Sequence, residues 1–208
     1  MILTHHGIDS MVRPGGGGTE YEVTIGESSI SPSRYRTQLP WDGLYRYSLS
    51  QQIYSSNEIG TSGKITDISF YCFVGYLSWN VSIYMSHTSK ASLYTDASNS
   101  EKLQDNEYVQ DTSLVYNGSV YLGSTDNKWF KIPLSTPFEY DNSHNLLLTV
   151  CSNNPSNPSK ELRFAVLWNN SNIPLYNSSG NAEYKPTTNT YEMNTAYYRN
   201  VIKLNMLV

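Results

Sequence analysis

The sequence contains few charged residues and no long apolar run. Only 15% of its 208 residues are charged, and 14 basic against 18 acidic side chains give a net charge of −4. A nucleic-acid-binding face needs an excess of basic residues to displace counterions from phosphates, so we expect no nucleic-acid partner. No apolar stretch reaches the roughly 20 residues with which a helix crosses a bilayer, so we expect no membrane partner.

Cysteine is scarce as well, with Cys72 and Cys151 as the two copies. Two cysteines exclude a disulfide framework and a cysteine-based metal cluster. Strand alternation places Cys72 on the same inward side as Phe70, and it places Cys151 on the side opposite to Val150. We therefore predict two free thiols, one facing inward and one outward, because a disulfide requires its cysteines to face each other.

The usual catalytic patterns are missing too. There is no GxSxG elbow, no phosphate-cradling glycine loop and no CxxC pair. The carboxylates are scattered singly along the chain, whereas a glycosidase needs two carboxyl groups that face each other across a cleft. The sequence selects no such pair, and we expect a protein that is not an enzyme.

Uncharged polar residues and aromatic residues are abundant instead. The chain contains 20 Asn, 29 Ser, 16 Thr, 18 Tyr and 4 Trp. This composition is typical of aromatic-rich strands joined by wide, hydrogen-bonding loops. It differs from the Lys-, Glu-, Ala- and Leu-rich helices of many cytosolic enzymes. We therefore expect a secreted or cell-surface protein.

Apolar and polar residues alternate with a period of two through most of the chain. Clear examples are Tyr21–Ile25, Lys64–Val74, Trp79–Met85 and Arg199–Leu207. This period is the mark of half-buried antiparallel strands, and it predicts an all-β fold of two stacked sheets with under about 10% helix. A further strand containing Trp129 is expected to end at Pro137.

The domain prediction follows from the same pattern. Residues 19–208 are expected to form a single β-sandwich binding module. Residues 1–18 end in four glycines and contain no apolar signal region, so we interpret them as a disordered leader or linker, or as an expression-derived segment.

Four aromatic residues at loop positions are the candidate ligand-binding residues. Trp41 lies between Pro40 and Asp42-Gly43, and Trp168 ends a strand just before an Asn-rich loop. Tyr45 and Tyr176 occupy similar strand-end positions. A flat exposed ring binds the apolar face of a sugar, while neighbouring polar groups bind its hydroxyls. The alternative is that these rings pack over a sheet edge.

The other two tryptophans are expected in the core. Trp129 lies in an alternating strand, and Trp79 shares its strand face with Val81 and Ile83. No cofactor is expected except a structural calcium ion, because Ca²⁺ binds six to eight oxygen ligands from loop carboxylates and carbonyls. Asp126 and Asp141 are the candidates for that site.

Four sequence blocks carry a family resemblance: Tyr45–Phe73, Val81–Lys90, Leu114–Leu122 and Trp129–Val150. In these blocks and in their order, the chain resembles a module of secreted, multidomain bacterial proteins, especially from Bacteroidetes and from rumen or gut communities. The resemblance spans most of residues 20 to 208. It implies a jelly-roll, galactose-binding-like sandwich with an adhesion or carbohydrate-binding role, located beside other domains of a larger protein. No binding residue is implied by it.

Together, these observations predict a non-catalytic carbohydrate-binding module of a secreted bacterial multidomain protein. The expected ligand is a plant polysaccharide, such as a β-glucan or xylan, bound through exposed aromatic rings. The alternative function is that of a protein-binding adhesin or a structural spacer module.

Overall fold

The computed structural model describes residues 18–74, 78–93, 104–123, 127–156, 161–168, 173–188 and 191–208. Of these residues, 57% lie in strands and 6% in helices. The strands form two antiparallel sheets of seven strands each, and the sheets pack against each other. The predicted all-β, two-sheet antiparallel sandwich is therefore confirmed. The predicted leader lies outside the described residues, except for Gly18.

The described part of the chain contains fourteen strands and three short helical turns. The strands are β1 (Glu20–Ile25), β2 (Tyr35–Arg36), β3 (Tyr47–Tyr54), β4 (Gly63–Val74), β5 (Ser78–Thr88), β6 (Gln104–Asp105), β7 (Leu114–Tyr121), β8 (Lys128–Tyr140), β9 (Asn145–Asn153), β10 (Arg163–Trp168), β11 (Leu175–Ser179), β12 (Glu192–Thr195), β13 (Tyr198–Asn200) and β14 (Ile202–Leu207). The helical turns are α1 (Ser56–Ile59) and the 3₁₀ turns Glu27–Ser29 and Asp111–Ser113.

The two sheets, which we call sheet A and sheet B, are joined by several connections, and the last of these, which we call the crossover, lies near the end of the chain. In sheet A, β4 is central: β8 pairs along one side of it, and β14 and β10 share the other side. β14 also pairs with β1, and β10 also pairs with β2 and β13. Sheet B has the strand order β6-β12-β11-β3-β9-β5-β7. The chain passes from sheet B to sheet A between β12 and β13, through Ala196 and Tyr197.

Strand β8 continues through Pro133 and Pro137, so the prediction that Pro137 ends it is wrong. Within the described ranges, β8 pairs with β4 alone and is an edge strand. A proline cannot donate a ladder hydrogen bond, but an edge strand has a side on which none is needed.

The core between the sheets contains Trp41, which is fully buried. Its ring lies edge-to-face against Phe164, Phe130 and Phe70, at centroid distances of 5.0, 6.0 and 6.2 Å. The loop is fixed to β3: Ser50 Oγ donates to the Pro40 carbonyl at 2.6 Å, and Asp42 N donates to Ser48 Oγ at 3.1 Å. The prediction that Trp41 is an exposed binding ring is therefore wrong, because the loop turns the indole into the sandwich.

Trp129 lies on the opposite side of sheet A from this core. Its neighbour Phe130 points inward, so Trp129 points outward and is only half-buried. It contacts Tyr71 edge-to-face at 5.5 Å, and Lys203 Nζ lies 5.0 Å from the ring centroid. The prediction of Trp129 as a core residue is wrong, whereas that of Trp79 is confirmed because Trp79 is fully buried between the sheets.

The cysteine prediction is confirmed as well. Neither Cys72 nor Cys151 forms a disulfide, and both are buried. Cys72 belongs to the core between the sheets, whereas Cys151 packs with a separate apolar cluster on the outer face of sheet B. The two thiols therefore lie on opposite sides of a sheet.

A buried polar network joins β3 to β13 beside the core. The Arg199 guanidinium, with a side chain only 2% exposed, donates to the Ile53 carbonyl at 2.8 Å and forms an ion pair with Glu58. Its Cζ lies 4.8 Å from the centroid of the Tyr54 ring, and the Tyr54 hydroxyl donates to the Asn200 carbonyl at 3.0 Å. This network fixes α1 against the crossover side of the sandwich.

Candidate functional site

The outer face of sheet B is covered over one half and open over the other. Over β3 and β11, the outward side chains pack beneath other parts of the chain in an apolar cluster: Leu49, Ile53, Leu93, Val109, Leu147, Cys151, Leu175 and Met193. β3 is consequently buried along its whole length. Over β5 and β7 the face is open, and its outward side chains are polar.

Strand alternation produces this polar surface. Trp79, Val81 and Ile83 point into the core, so the residues between them, Asn80 and Ser82, point outward. Tyr84 also points outward. Cross-strand pairing adds further outward residues from the neighbouring strands, since paired residues share a face. Ser82 pairs with Asn117 on β7 and with Cys151 on β9, and Asn80 pairs with Ser119.

These residues form the floor of a cleft of about 500 Å³. We call it the Tyr84 cleft. Its floor consists of Asn80, Ser82, Tyr84, Asn117, Ser119, Cys151 and Asn153, and its walls consist of Asp111 and residues 183–187. The volume falls within the range of roughly 300–1,000 Å³ that is usual for small-molecule sites.

The wall formed by residues 183–187 is held in place by contacts at both ends. Asn153 Nδ2 donates to Glu183 Oε1 at 2.7 Å, which joins the wall to the floor. Tyr184 lies edge-to-face on Tyr191 at 5.0 Å, and Lys185 N donates to the Tyr191 hydroxyl at 3.0 Å. The backbone at Pro186 accepts a hydrogen bond from residue 109 at 2.9 Å. The cleft is thus a built feature with side chains anchored to the sheet.

The phenol of Tyr84 and the thiol of Cys151 are both protonated at neutral pH, and their surroundings raise both pKa values further above it. Burial raises the pKa of Tyr84, and the nearby Cys151, Asp111 and Glu183 raise it further. Burial also raises the pKa of the Cys151 thiol, with Glu183 adding to the effect. The Tyr84 hydroxyl is therefore a hydrogen-bond donor at neutral pH, and Cys151 is not a thiolate nucleophile.

Several polar groups of the cleft have no partner in the described parts of the protein. The side chains of Asn80, Tyr84 and Asp111 make no hydrogen bond or ion pair there, whereas Ser82 Oγ donates to Asn117 Oδ1 at 3.1 Å. An amide, a phenol and a carboxylate together offer both donors and acceptors. Chemically, this set suits a ligand that is rich in hydroxyl groups.

Two of the four predicted ligand-binding residues lie at a different place. Trp168 ends β10 and is 56% exposed, and Tyr176 lies on β11. The crossover between β12 and β13 joins them, since Tyr198 pairs with Trp168 and lines a cleft of about 210 Å³ together with Tyr176. Tyr45 is 44% exposed and does not line this cleft.

Of the two predicted metal ligands, the structure describes Asp141. Both Asp141 carboxylate oxygens are occupied within their own turn: Oδ1 accepts from the backbone N–H of Ser143 and His144, and Oδ2 lies 2.7 Å from His144 Nδ1. Asp126 lies outside the described residues. Among the residues that are described, no group of three or more His, Cys, Asp or Glu side chains could hold a metal ion.

None of the helices in the described ranges has the length and hydrophobicity that a bilayer crossing requires.

The sequence contains a signal for part of the Tyr84 cleft. The alternation over Trp79–Met85 places Asn80, Ser82 and Tyr84 on the outward face, and an outward strand face with an aromatic ring among amides is a recognisable binding surface. The wall residues Glu183 and Tyr184 lie about a hundred residues further along the chain, and no local pattern connects them with β5.

In comparisons with known proteins, the chain matches no protein-family model, no curated protein and no solved structure.

Proposed function

We propose that this protein is a non-catalytic glycan-binding module and that the Tyr84 cleft holds the glycan. The observation that carries the proposal is the set of unpartnered polar groups on Asn80, Tyr84 and Asp111 within the described cleft. Sugar hydroxyls donate and accept hydrogen bonds, so they match a surface that offers both kinds of group. The rings of Tyr84 and Tyr184 add apolar surface for the C–H faces of a sugar.

The charge of the cleft favours an uncharged glycan. Asp111 and Glu183 contribute two carboxylates, and Lys185 is the one basic residue in the lining. An anionic ligand would meet a net negative rim, whereas a neutral chain of sugars would not. This supports a neutral glycan, and within that class we propose a plant polysaccharide such as a β-glucan or xylan.

A protein ligand fits the same surface less well. The centre of a protein–protein interface is depleted in charged residues and rich in large apolar ones. The floor of the Tyr84 cleft consists mainly of amide and hydroxyl side chains, with carboxylates at its walls. An adhesin or spacer function therefore takes second place. We also propose, from the composition and the family resemblance, that this module belongs to a secreted protein with further domains.

The test is a calorimetric titration of β-glucan and xylan oligosaccharides into the wild-type protein and two variants. We expect Kd values of about 10 μM to 1 mM, because a hydroxylated ligand exchanges hydrogen bonds with water for similar ones with the protein. Tyr84→Phe removes only a hydroxyl and should weaken binding about 5- to 10-fold. Tyr71→Phe is the matched control: it removes a hydroxyl on the other sheet, one that donates to the Asn127 carbonyl.

Three outcomes would contradict the proposal. If none of the glycans binds the wild-type protein, the adhesin or spacer function becomes the better one. If Tyr84→Phe and Tyr71→Phe bind equally well, the Tyr84 cleft is not the site. If reducing ends are released during the titration, the protein is an enzyme, and the carboxylates Asp111 and Glu183 would be the first candidates for its acid and base.

A further inference from the structure

A second surface, at the crossover between the sheets, combines exposed aromatic rings with a cation. Trp168 stacks nearly parallel to Tyr197, with an interplanar angle of 12° and a centroid distance of 6.0 Å. It also meets the edge of Tyr198 at 4.8 Å. Arg36, on β2, lies over the ring of Tyr198, with its Cζ 3.5 Å from the ring centroid. We call these four residues the Trp168 shelf.

The geometry of Arg36 leaves most of its hydrogen-bond donors available. A guanidinium group stacks on a ring through its flat face, whereas its five N–H donors lie in the plane at its edge. Arg36 Nη1 donates to the Tyr35 carbonyl at 2.9 Å. In the described ranges, no carboxylate pairs with Arg36, although Arg163, Arg199 and three lysines do form ion pairs with acidic side chains.

The positive charge of Arg36 therefore faces a cleft that contains no acidic side chain to pair with it. Arg36 lines the cleft of about 210 Å³ at the crossover, with Gln38, Tyr176 and Tyr198 among its neighbours. No Asp or Glu belongs to this lining. A volume below the roughly 300 Å³ at which typical ligand sites begin suits a single sugar unit or one end of a chain.

We infer that the Trp168 shelf is a second glycan site and that it binds an acidic sugar, a uronic acid residue. The carboxylate of the sugar pairs with the free edge of Arg36, in the bidentate geometry that guanidinium groups form with carboxylates. The exposed indole of Trp168 supports the apolar face of the ring or of its neighbour in the chain. This site shares no lining residue with the Tyr84 cleft. The inference takes one thing from the proposed function, namely that the ligand is a glycan.

Opposite charges separate the two sites. The Tyr84 cleft carries two carboxylates and favours a neutral sugar, whereas the Trp168 shelf carries an unpaired cation and favours an anionic one. A glycan that contains neutral units and acidic units therefore offers a ligand to each site.

The experiment compares a trisaccharide of galacturonic acid with its methyl ester, which has the same ring and no negative charge. Both are titrated calorimetrically into the wild-type protein and four variants: Arg36→Gln, Arg36→Lys, Arg34→Gln and Tyr84→Phe. Arg36→Gln should weaken binding of the acid about 10- to 100-fold, the loss expected for a charged hydrogen-bonded pair, and should leave the weak binding of the ester unchanged. Arg36→Lys keeps the charge but loses the planar fork, so its loss should be smaller. Arg34→Gln is the matched control, because Arg34 is exposed, near in sequence and outside the cleft.

The results that would overturn the inference are distinct from those that concern the Tyr84 cleft. The inference fails if the acid does not bind, if acid and ester bind alike, or if Arg36→Gln binds the acid as well as Arg34→Gln does. It also fails if Tyr84→Phe abolishes binding of the acid, since the acid would then occupy the Tyr84 cleft and the proposed function would stand. Thermal midpoints of all variants are measured, and Arg36→Lys provides the comparison if Arg36→Gln lowers the midpoint.

Discussion

The ion pair between Glu58 and Arg199 gives the sharpest stability prediction. Arg199 is buried, whereas the Glu58 side chain is 33% exposed, so the two partners differ in how far water screens them. Glu58 also belongs to the capping box of α1, in which its Oε2 accepts from Ser55 N at 3.0 Å and from Ser55 Oγ at 2.7 Å. The perturbation is Glu58→Gln, which removes the charge and keeps one of the two acceptor oxygens, so the side chain can retain either the bond from Arg199 or the bonds from Ser55.

The expected loss is about 2 kcal/mol. Removing one partner of a fully buried pair costs about 3–5 kcal/mol, because a buried charge is left without compensation. Partial exposure of Glu58 lowers that figure through screening, and the Ile53 carbonyl and the Tyr54 ring still stabilise the guanidinium. The control is Glu139→Gln, which breaks the exposed 2.8 Å pair with Lys64 and should cost less than about 0.5 kcal/mol.

The same pair predicts a pH dependence. Burial alone would raise the pKa of Glu58, but the hydrogen bond and charge of Arg199 and the bonds from Ser55 outweigh it and lower the pKa. A carboxyl group whose folded pKa lies below its unfolded value, about 4.3 for Glu, stabilises the fold above that value. The stabilisation is lost as the pH falls through the folded pKa. The difference between wild type and Glu58→Gln should therefore shrink as the pH falls below about 4.

Urea denaturation at pH 7, 5, 4 and 3 measures both quantities in one series. The far-ultraviolet circular dichroism signal of the strands and tryptophan fluorescence should give the same urea midpoint if unfolding is two-state. A Glu58→Gln loss below about 0.5 kcal/mol at pH 7 would show that Arg199 does not depend on this partner. A loss that stays the same down to pH 3 would show that the Glu58 charge does not carry the effect.

Two further predictions concern the interior. Trp41→Ala should destabilise the fold by about 3–5 kcal/mol and Trp129→Ala by about 1 kcal/mol, because the first ring is fully buried and the second lies half-exposed on an outer face. Denaturant melts of both variants check this, and equal losses would contradict the assignment of the two faces. Cys72 and Cys151 should react with a thiol-specific dye in the unfolded protein and not in the native one at pH 8, since both are buried and the Cys151 pKa is raised. Rapid labelling of one thiol in the native state would refute the burial of that residue.

The sequence predicted the strand faces well where one face is uniformly apolar. Trp79, Val81 and Ile83 follow each other on one side of β5, and the inward and outward directions of Cys72 and Cys151 came from the same rule. β8 was harder, because it carries large side chains on both faces. Lys131 shares the face of Trp129, whereas Ile132 and Leu134 share that of Phe130, and this difference marks the inward face.

Loop residues could not be assigned from local patterns. Trp41 lies in a segment with loop chemistry on both sides, and its burial depends on β3, through hydrogen bonds to Ser48 and Ser50 that no local pattern reveals. The candidate site was predictable by half. Its floor follows from the alternation of β5, but its wall consists of residues 183–187, whose position is set by contacts with Asn153 and Tyr191.

At β3, sheet B is covered on both faces, whereas at β5 and β7 its outer face is open. The wall of the Tyr84 cleft lies at the boundary between these two parts of the sheet. Residues 183–187 form this wall, and most of them are exposed or partly exposed and lie outside the core between the sheets. Substitutions at its exposed positions, Glu183 and Lys185, would alter the cleft at little cost in folding stability. Under the proposed function, substitutions at these two positions should therefore change which glycan the cleft prefers and leave the sandwich unchanged.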